Sequence, residues 1–370
     1  MELLKLNRYI WKKQDNFWPI IIAVVIIFTA IARPHVASLR DFLGFMTRCG
    51  VVFLFSIYLK DINKWAGLFL LLALFSHSIP GFILSGYKQV QTDQSYIALN
   101  SVFMGCVLYT VIVIKCKNIS PILNAMCLIA LLNVAALVCM NKTLNPINVN
   151  MDKAVGIMAN PNESTALMSI CAPAFFRKRW AYLIPVVILG LAMSRCTNGV
   201  IGFIVAVVIY LCITGPSWMV TMCALAGMGL GASLFFGFLD HFNPDSRIEL
   251  WKNALKLSWI NQPSIGFGLG NWAAIYPGLI KSGGFAQGWI RLHNSFVHGF
   301  VEMGIAFPLL IIGYIVNIIR RASVKAVLPI AALGSITVAM CSNSLFRMNA
   351  LNAMIAVIWF AVLENKLREA

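Results

Sequence analysis

Apolar runs of about twenty residues, each enough to cross a hydrocarbon core of about 30 Å as a helix that satisfies its own backbone hydrogen bonds, alternate with short polar segments along the whole chain. An outer-membrane barrel would alternate apolar and polar residues instead. The pattern predicts an all-α polytopic membrane protein of about twelve transmembrane helices. The predicted spans are 17–32, 42–59, 64–80, 97–114, 119–139, 163–176, 180–193, 199–213, 217–238, 294–319, 326–341 and 348–363. The sixth and seventh are short and contain Pro173 and Pro185. The longest polar interruption, 239–292, falls between the ninth and tenth spans. Residues 1–370 therefore read as a single membrane-embedded domain with one large loop.

Composition agrees with the pattern. At 60% hydrophobic and 11% charged residues, with a mean hydropathy of +0.82, the chain has too little polar surface for a water-soluble exterior. Lys5, Arg8, Lys12 and Lys13 precede the first apolar run, but no small-residue cleavage site follows, so that run is an uncleaved span. A formal charge of +16 could suggest nucleic acid in a soluble protein; here the basic residues lie mostly in short loops, where they report topology, and no nucleic-acid partner is expected. With the N-terminus in the cytoplasm, the inner segments hold Lys60 and Lys64, Lys115 and Lys117, Arg177–Lys178–Arg179, Arg320–Arg321 with Lys325, and Lys366 with Arg368. The C-terminus is then cytoplasmic too. Segments 33–41, 81–96, 140–162 and 239–292 face outward. Most of the ten cysteines, among them Cys106, Cys127 and Cys171, sit in apolar runs as small hydrophobes, which argues against a disulfide framework.

Candidate chemistry concentrates in 245–305. DSRIELWKNALKLSW places Ile248, Trp251, Leu255 and Leu257 or Trp259 near one helical face, with Arg247, Lys252 and Lys256 on others. This predicts a short amphipathic helix at the membrane surface, capped by Asp245 or Ser246. Gly266, Gly268 and Gly270 superficially resemble a phosphate loop, but no strand–turn–helix context surrounds them, so they predict a close-approach turn. His293 follows Arg291 and precedes Asn294, a natural helix N-cap. At about 100° per residue, His298 falls some 140° and Glu302 about 180° around from His293; four apart, those two predict an intramembrane polar pair holding helices together. Arg195 stands at the outer end of a span beside Ser194, and Arg347 lies in the outer turn CSNSLFRMN. No HExxH, Cys-x-x-Cys or DxD pattern is present, so no metal and no cofactor are expected. Several arginines without carboxylates suit a diphosphate, which guanidinium groups bind through paired charge-assisted hydrogen bonds. A histidine beside such cations stays neutral near pH 7, as a general base must.

Four motifs in order, NPNESTALM at 160–168, LAMSR at 191–195, SRIELWKNAL with PSIGFGLGNW at 246–272 and LHNSFVHGFVEMGI at 292–305, resemble the O-antigen ligase and polymerase superfamily of bacterial inner-membrane glycosyltransferases. The resemblance covers about half the chain and implies periplasmic transfer of a glycan from undecaprenyl diphosphate, without metal or nucleotide. It implies that His293 acts in catalysis and that Arg247 and Arg195 engage the diphosphate. Arg291, Arg347, Asn294 and Asn162 join them as substrate-binding candidates. Polymerases often carry two arginine-rich periplasmic loops. Here 140–162 has Lys142 and Lys153 but no arginine, which leans towards a ligase with a lipid A-core acceptor. An O-antigen polymerase and a protein O-oligosaccharyltransferase share the donor and remain open. A lipid-linked glycan transporter would need ionisable residues through the membrane depth, where only His298 and Glu302 stand.

Overall fold

The computed structural model describes residues 17–27, 29, 64–78, 93–139, 156–158, 161–194, 196–216, 244–261, 263–264, 266–272, 292, 294–321, 326–342 and 350–368. All regular structure among the described residues is helical, in agreement with the all-α expectation. In chain order the helices are α1 (Phe17–Ile27), α2 (Lys64–Ser78), α3 (Asp93–Lys115), α4 (Ser120–Cys139), α5 (Pro161–Cys171), α6 (Ile184–Ser194), α7 (Thr197–Thr214), α8 (Pro244–Asn261), α9 (Ser295–Met303), α10 (Ala306–Arg321), α11 (Val327–Ser342) and α12 (Ala350–Arg368). These twelve do not map one to one on the expected spans. The runs at 42–59 and 217–238 lie outside the described residues, α8 belongs to the polar interruption, and the tenth run is divided between α9 and α10.

That division corrects the single helix expected over 294–319. Gly304, at φ 65°, turns out of the helix after Met303 and donates its N–H to the Phe300 carbonyl at 2.7 Å. Ile305 N–H leaves the helical ladder for the Pro263 carbonyl at 2.9 Å, and α10 restarts at Ala306. The short sixth and seventh runs become α5 continued by a 3-10 segment, Ala172–Phe176, and a 3-10 turn, Ala181–Leu183, leading into α6. Pro173 is the second residue of the first of these, in its opening turn, where a missing N–H costs nothing.

α5 is the hub. Nearly all its residues are buried, between α4, α6, α7, α11 and α12. Its hydroxyls are satisfied locally or by neighbours: Ser164 Oγ accepts from Asn133 Nδ2 at 2.8 Å, Thr165 donates to the Pro161 carbonyl and Ser169 to that of Ala166, both at 3.0 Å. Two donors on α12 fix it in parallel register, Asn352 Nδ2 on the Glu163 carbonyl at 3.1 Å and Trp359 Nε1 on that of Ile170 at 2.9 Å, each across 189 residues. α7 lies so close that a side chain at Gly199 or Gly202 would meet Thr165 or Ser169, the small-residue contact that lets helix backbones approach.

Arg177, Arg321 and Arg368 gather at one end of this bundle. Asn365 Nδ2 donates to the Cys116 carbonyl at 2.8 Å, Arg321 reaches the Glu364 carboxylate at 3.3 Å and the Leu367 carbonyl at 3.0 Å, and Arg177 donates to Asn124 Oδ1 at 3.0 Å. The start of α5, the α6–α7 turn and the start of α12 lie at the other end. Apolar stripes face outward on several helices, most fully on α10, where Leu309, Ile312, Ile315 and Ile319 are exposed at helical spacing. By length and composition, α4 and α7 are the two described helices able to cross a membrane; α1, α6 with its preceding turn, α11 and parts of α2 and α3 are shorter apolar helices.

Candidate functional site

α8 begins at Pro244, so Asp245 and Ser246, expected as its cap, fall in the first turn. Proline suits that first position because an unpaired N–H is lost there anyway. Arg247 is in the same turn, its side chain outside the described residues. Leu250, Ala254 and Ser258 are buried, Trp251 and Leu257 half-buried, and Trp259 is 61% exposed. Small Ala254 and Ser258 let α8 approach its neighbour closely, whereas Trp259 lies with one ring face on Phe300, 6.4 Å between centroids and 15° between planes.

The neighbour is α9, and the two run parallel in register. The Trp251 indole N–H donates to the Leu292 carbonyl, 41 residues on, and Trp259 meets Phe300 at the same separation. Leu250, Ala254, Phe267, Trp272, Leu292 and Val301 form one buried cluster between them. Arg247 precedes Trp251 by one turn, about 6 Å of axial rise, and His293 directly follows Leu292. The structure thus brings the backbone of the Arg247 turn and the residue before His293 to the same end of one helix pair. Arg291 and His293 themselves lie outside the described residues.

Asn294 caps α9 as expected. Its Oδ1 accepts from the N–H groups of Phe296 and Val297 at 2.9 and 3.0 Å. The acceptor of this substrate-binding candidate is therefore already used by the helix.

At the far end of α9 the glycine segment does something the sequence did not reveal. The break after Met303 leaves the last carbonyls of α9 without intrahelical donors. Phe267 N–H supplies the Val301 carbonyl and Gly268 N–H that of Glu302, both at 2.9 Å, and the Ser76 hydroxyl of α2 also donates to Glu302 O, at 2.7 Å. Gly266, Gly268 and Gly270 all have positive φ (67°, 94° and 88°), so the expected turn is present. What its backbone approaches is the broken helix: a side chain at Gly266 would sit 2.5–2.6 Å from backbone atoms of Glu302, Met303 and Gly304.

His298 Nε2 and Glu302 Oε1 are 3.0 Å apart and both side chains are buried. The pair forms, but within α9, so it does not itself join two helices. The joining is done by Glu302, through its main-chain carbonyl and through Oε1, which accepts the Trp272 N–H at 3.4 Å.

Of the other candidates, only Asn162 is among the described residues. Asn162 is half-buried in the first turn of α5. Arg195 and Arg347 lie outside the described residues. The flanks of Arg195, Ser194 and Cys196, are buried, and Gly199 in the first turn of α7 lies against Thr165. Arg347 precedes α12, whose Asn352 holds the Glu163 carbonyl. Phe296, in the first turn of α9, packs against the main core that includes α5 and α12. Sequence reasoning missed Ser76 and Trp251 as connecting residues. A serine near the end of an apolar run was one available signal, and an indole one turn from a candidate arginine was the other. No protein-family model matches the chain, and no curated protein matches it.

Proposed function

We propose that the chain is a multi-pass glycosyltransferase of the bacterial inner membrane, with about twelve spans and both termini cytoplasmic. In this reading it transfers O-antigen polysaccharide from undecaprenyl diphosphate to lipid A-core at the periplasmic face. Arg247 and Arg195 hold the diphosphate, and His293 takes the proton from the acceptor hydroxyl. That hydroxyl attacks the anomeric carbon, the bond to the diphosphate oxygen breaks, and undecaprenyl diphosphate leaves. One displacement without an enzyme nucleophile inverts the anomeric centre.

The observation that carries the reading is the in-register pairing of α8 with α9, because it gathers the backbone of the Arg247 turn and Leu292, the residue before His293, at one end of the helix pair. Outward apolar stripes on α10 and the clustering of Arg177, Arg321 and Arg368 at one end of the bundle support a membrane protein whose basic end is cytoplasmic. The test is transfer by the purified protein in nanodiscs, given an undecaprenyl-diphosphate-linked polysaccharide and lipid A-core with excess EDTA and no ATP. Polymer appearing on the core is the expected result. Joining of repeat units on the lipid carrier, with core unmodified, would make the chain a polymerase; dependence on magnesium or manganese would contradict an arginine-only diphosphate site.

A further inference from the structure

The two sides of α8 meet different surroundings. Leu250, Ala254 and Ser258 are buried on one side. On the opposite side Lys252, Lys256, Trp259 and Ile260 are exposed, Trp259 by 61% and Ile260 by 66%. At about 100° per residue these four fall within an arc of about 100°, so they make a single face with cations in two successive turns and large apolar side chains in the last. Neither lysine has a carboxylate partner among the described residues. A face turned to water gains nothing from Trp259 and Ile260 side by side, and a face turned only to lipid tails does not carry two lysines.

The place of this face on the molecule accounts for both halves. Pro263, just beyond α8, accepts the Ile305 N–H at 2.9 Å, and Ile305 heads the exposed stripe of Leu309, Ile312, Ile315 and Ile319 that runs to Arg320 and Arg321. From Ile305 to Ile319 the stripe rises about 21 Å, most of a hydrocarbon core of about 30 Å. The last turn of α8, with Trp259 and Ile260, leads into that joint, and Lys256 and Lys252 follow about 5 and 10 Å back along the helix. In the membrane orientation proposed above, the apolar pair faces the lipid tails of the outer leaflet and the lysines reach the headgroup layer on flexible stems.

What the face can hold follows from charge and shape. Side chains one turn apart on a helix stand about 5–6 Å apart at Cβ, and each ammonium is a compact charge with three rotatable donors. Both lysines can therefore close on two phosphates joined by a bridging oxygen. A phosphatidylglycerol headgroup brings one phosphate and one negative charge, which leaves a lysine unmatched. A glycan-bearing isoprenoid diphosphate brings two linked phosphates with a charge on each, and a single tail for the apolar end. We propose that the exposed face of α8 is a docking site for this lipid-linked diphosphate in the outer leaflet, with Lys252 and Lys256 on the diphosphate and Trp259 and Ile260 on the tail. The inference rests on the glycosyl-transfer reading for the identity of the ligand. As a site of first contact it contributes to donor affinity and not to the rate of the bound complex.

The test titrates undecaprenyl diphosphate, and separately phosphatidylglycerol, into phosphatidylcholine nanodiscs holding the full chain, with native mass spectrometry reading the lipid retained. The variants are the pair Lys252→Gln with Lys256→Gln, the pair Lys252→Arg with Lys256→Arg, and Ile260→Ser; all three positions are exposed, and the single lysine substitutions serve should a pair fold poorly. The glutamine pair is expected to weaken undecaprenyl diphosphate binding by about 10- to 30-fold, Ile260→Ser by about 3- to 10-fold, and the arginine pair to keep it, with phosphatidylglycerol binding unchanged throughout. Parent-like binding by the glutamine pair or by Ile260→Ser overturns the proposal, and so does a fall in phosphatidylglycerol binding that keeps step, because the face is then a general anionic-lipid surface. Should the parent transfer glycan and the glutamine pair do so with the same dependence on donor, the docking site fails and the functional reading stands. Should the parent bind undecaprenyl diphosphate through the lysines and transfer nothing, the functional reading fails and the docking site stands.

Discussion

Replacing Gly266 with alanine probes the junction that ties the loop after α8 to the broken end of α9. The added Cβ would lie 2.5 Å from the Glu302 carbonyl carbon and 2.6 Å from the Met303 and Gly304 nitrogens, all backbone atoms that cannot rotate away. Alanine also resists the φ of 67° that Gly266 adopts, at about 1–2 kcal/mol. The loop must therefore lift, and the bonds from Phe267 and Gly268 to Val301 and Glu302 are lost at about 1 kcal/mol each. The sum is about 3–4 kcal/mol of destabilisation. Gly313 in α10 is the internal comparison: a Cβ there meets only the Trp65 ring at 3.6 Å, an ordinary contact, and helix propensity favours alanine by up to about 1 kcal/mol. Equilibrium unfolding by SDS in mixed micelles, followed for both variants, gives the two numbers. A Gly266→Ala protein that unfolds at the same SDS fraction as the parent refutes the proposed backbone-to-backbone approach.

Asn294→Ala should cost about 1 kcal/mol through loss of the cap, and Asn294→Ser should recover most of it; the same unfolding assay decides, and equal loss in both variants would mean that capping is not its role. Burial pushes the Cys116 thiol up to about 12, so it stays protonated, and unreactive as a nucleophile, from pH 7 to pH 9. Mass spectrometry after maleimide treatment in that range should find Cys116 unlabelled, and rapid labelling would contradict its place beneath Asn365. Arg247→Lys and Arg195→Lys keep the charge but lose the paired hydrogen bonds, so each should retain part of the transfer activity that the alanine variants lose. Lysine variants as inactive as alanine would contradict this partial retention, while fully active alanine variants would remove both arginines from the diphosphate site.

Much of the helical framework was legible because long apolar runs leave the chain few alternatives. The expected 119–139 and 199–213 differ from α4 and α7 by one or two residues at an end. The break after Met303 was not legible, since one glycine inside an apolar run is usually tolerated within a helix. It becomes a break because Pro263 and the Gly266–Gly268 backbone come from elsewhere in the chain to take the freed groups. The face of α8 that packs within the protein was not legible for a related reason: it is built on Leu250 with the small Ala254 and Ser258, which the pattern of large apolar residues does not mark. Asn294 was read correctly because capping is local chemistry. His298 and Glu302 were paired correctly by spacing, but what Glu302 joins depends on Ser76 and Gly268, which sequence distance conceals. The parallel pairing of α8 with α9 depends on contacts across 41 residues, and local pattern carries no trace of it.

The most direct test of the account is which histidine the chemistry needs. With undecaprenyl-diphosphate-linked glycan prebound in nanodiscs, His293→Ala should lower the single-turnover rate by about 10²- to 10⁴-fold while nearly preserving donor affinity. His298→Ala should lower the unfolding midpoint more than the rate, because its imidazole is buried against Glu302 within α9. An active His293→Ala protein, or a folded His298→Ala protein that has lost transfer, would contradict the account at its centre.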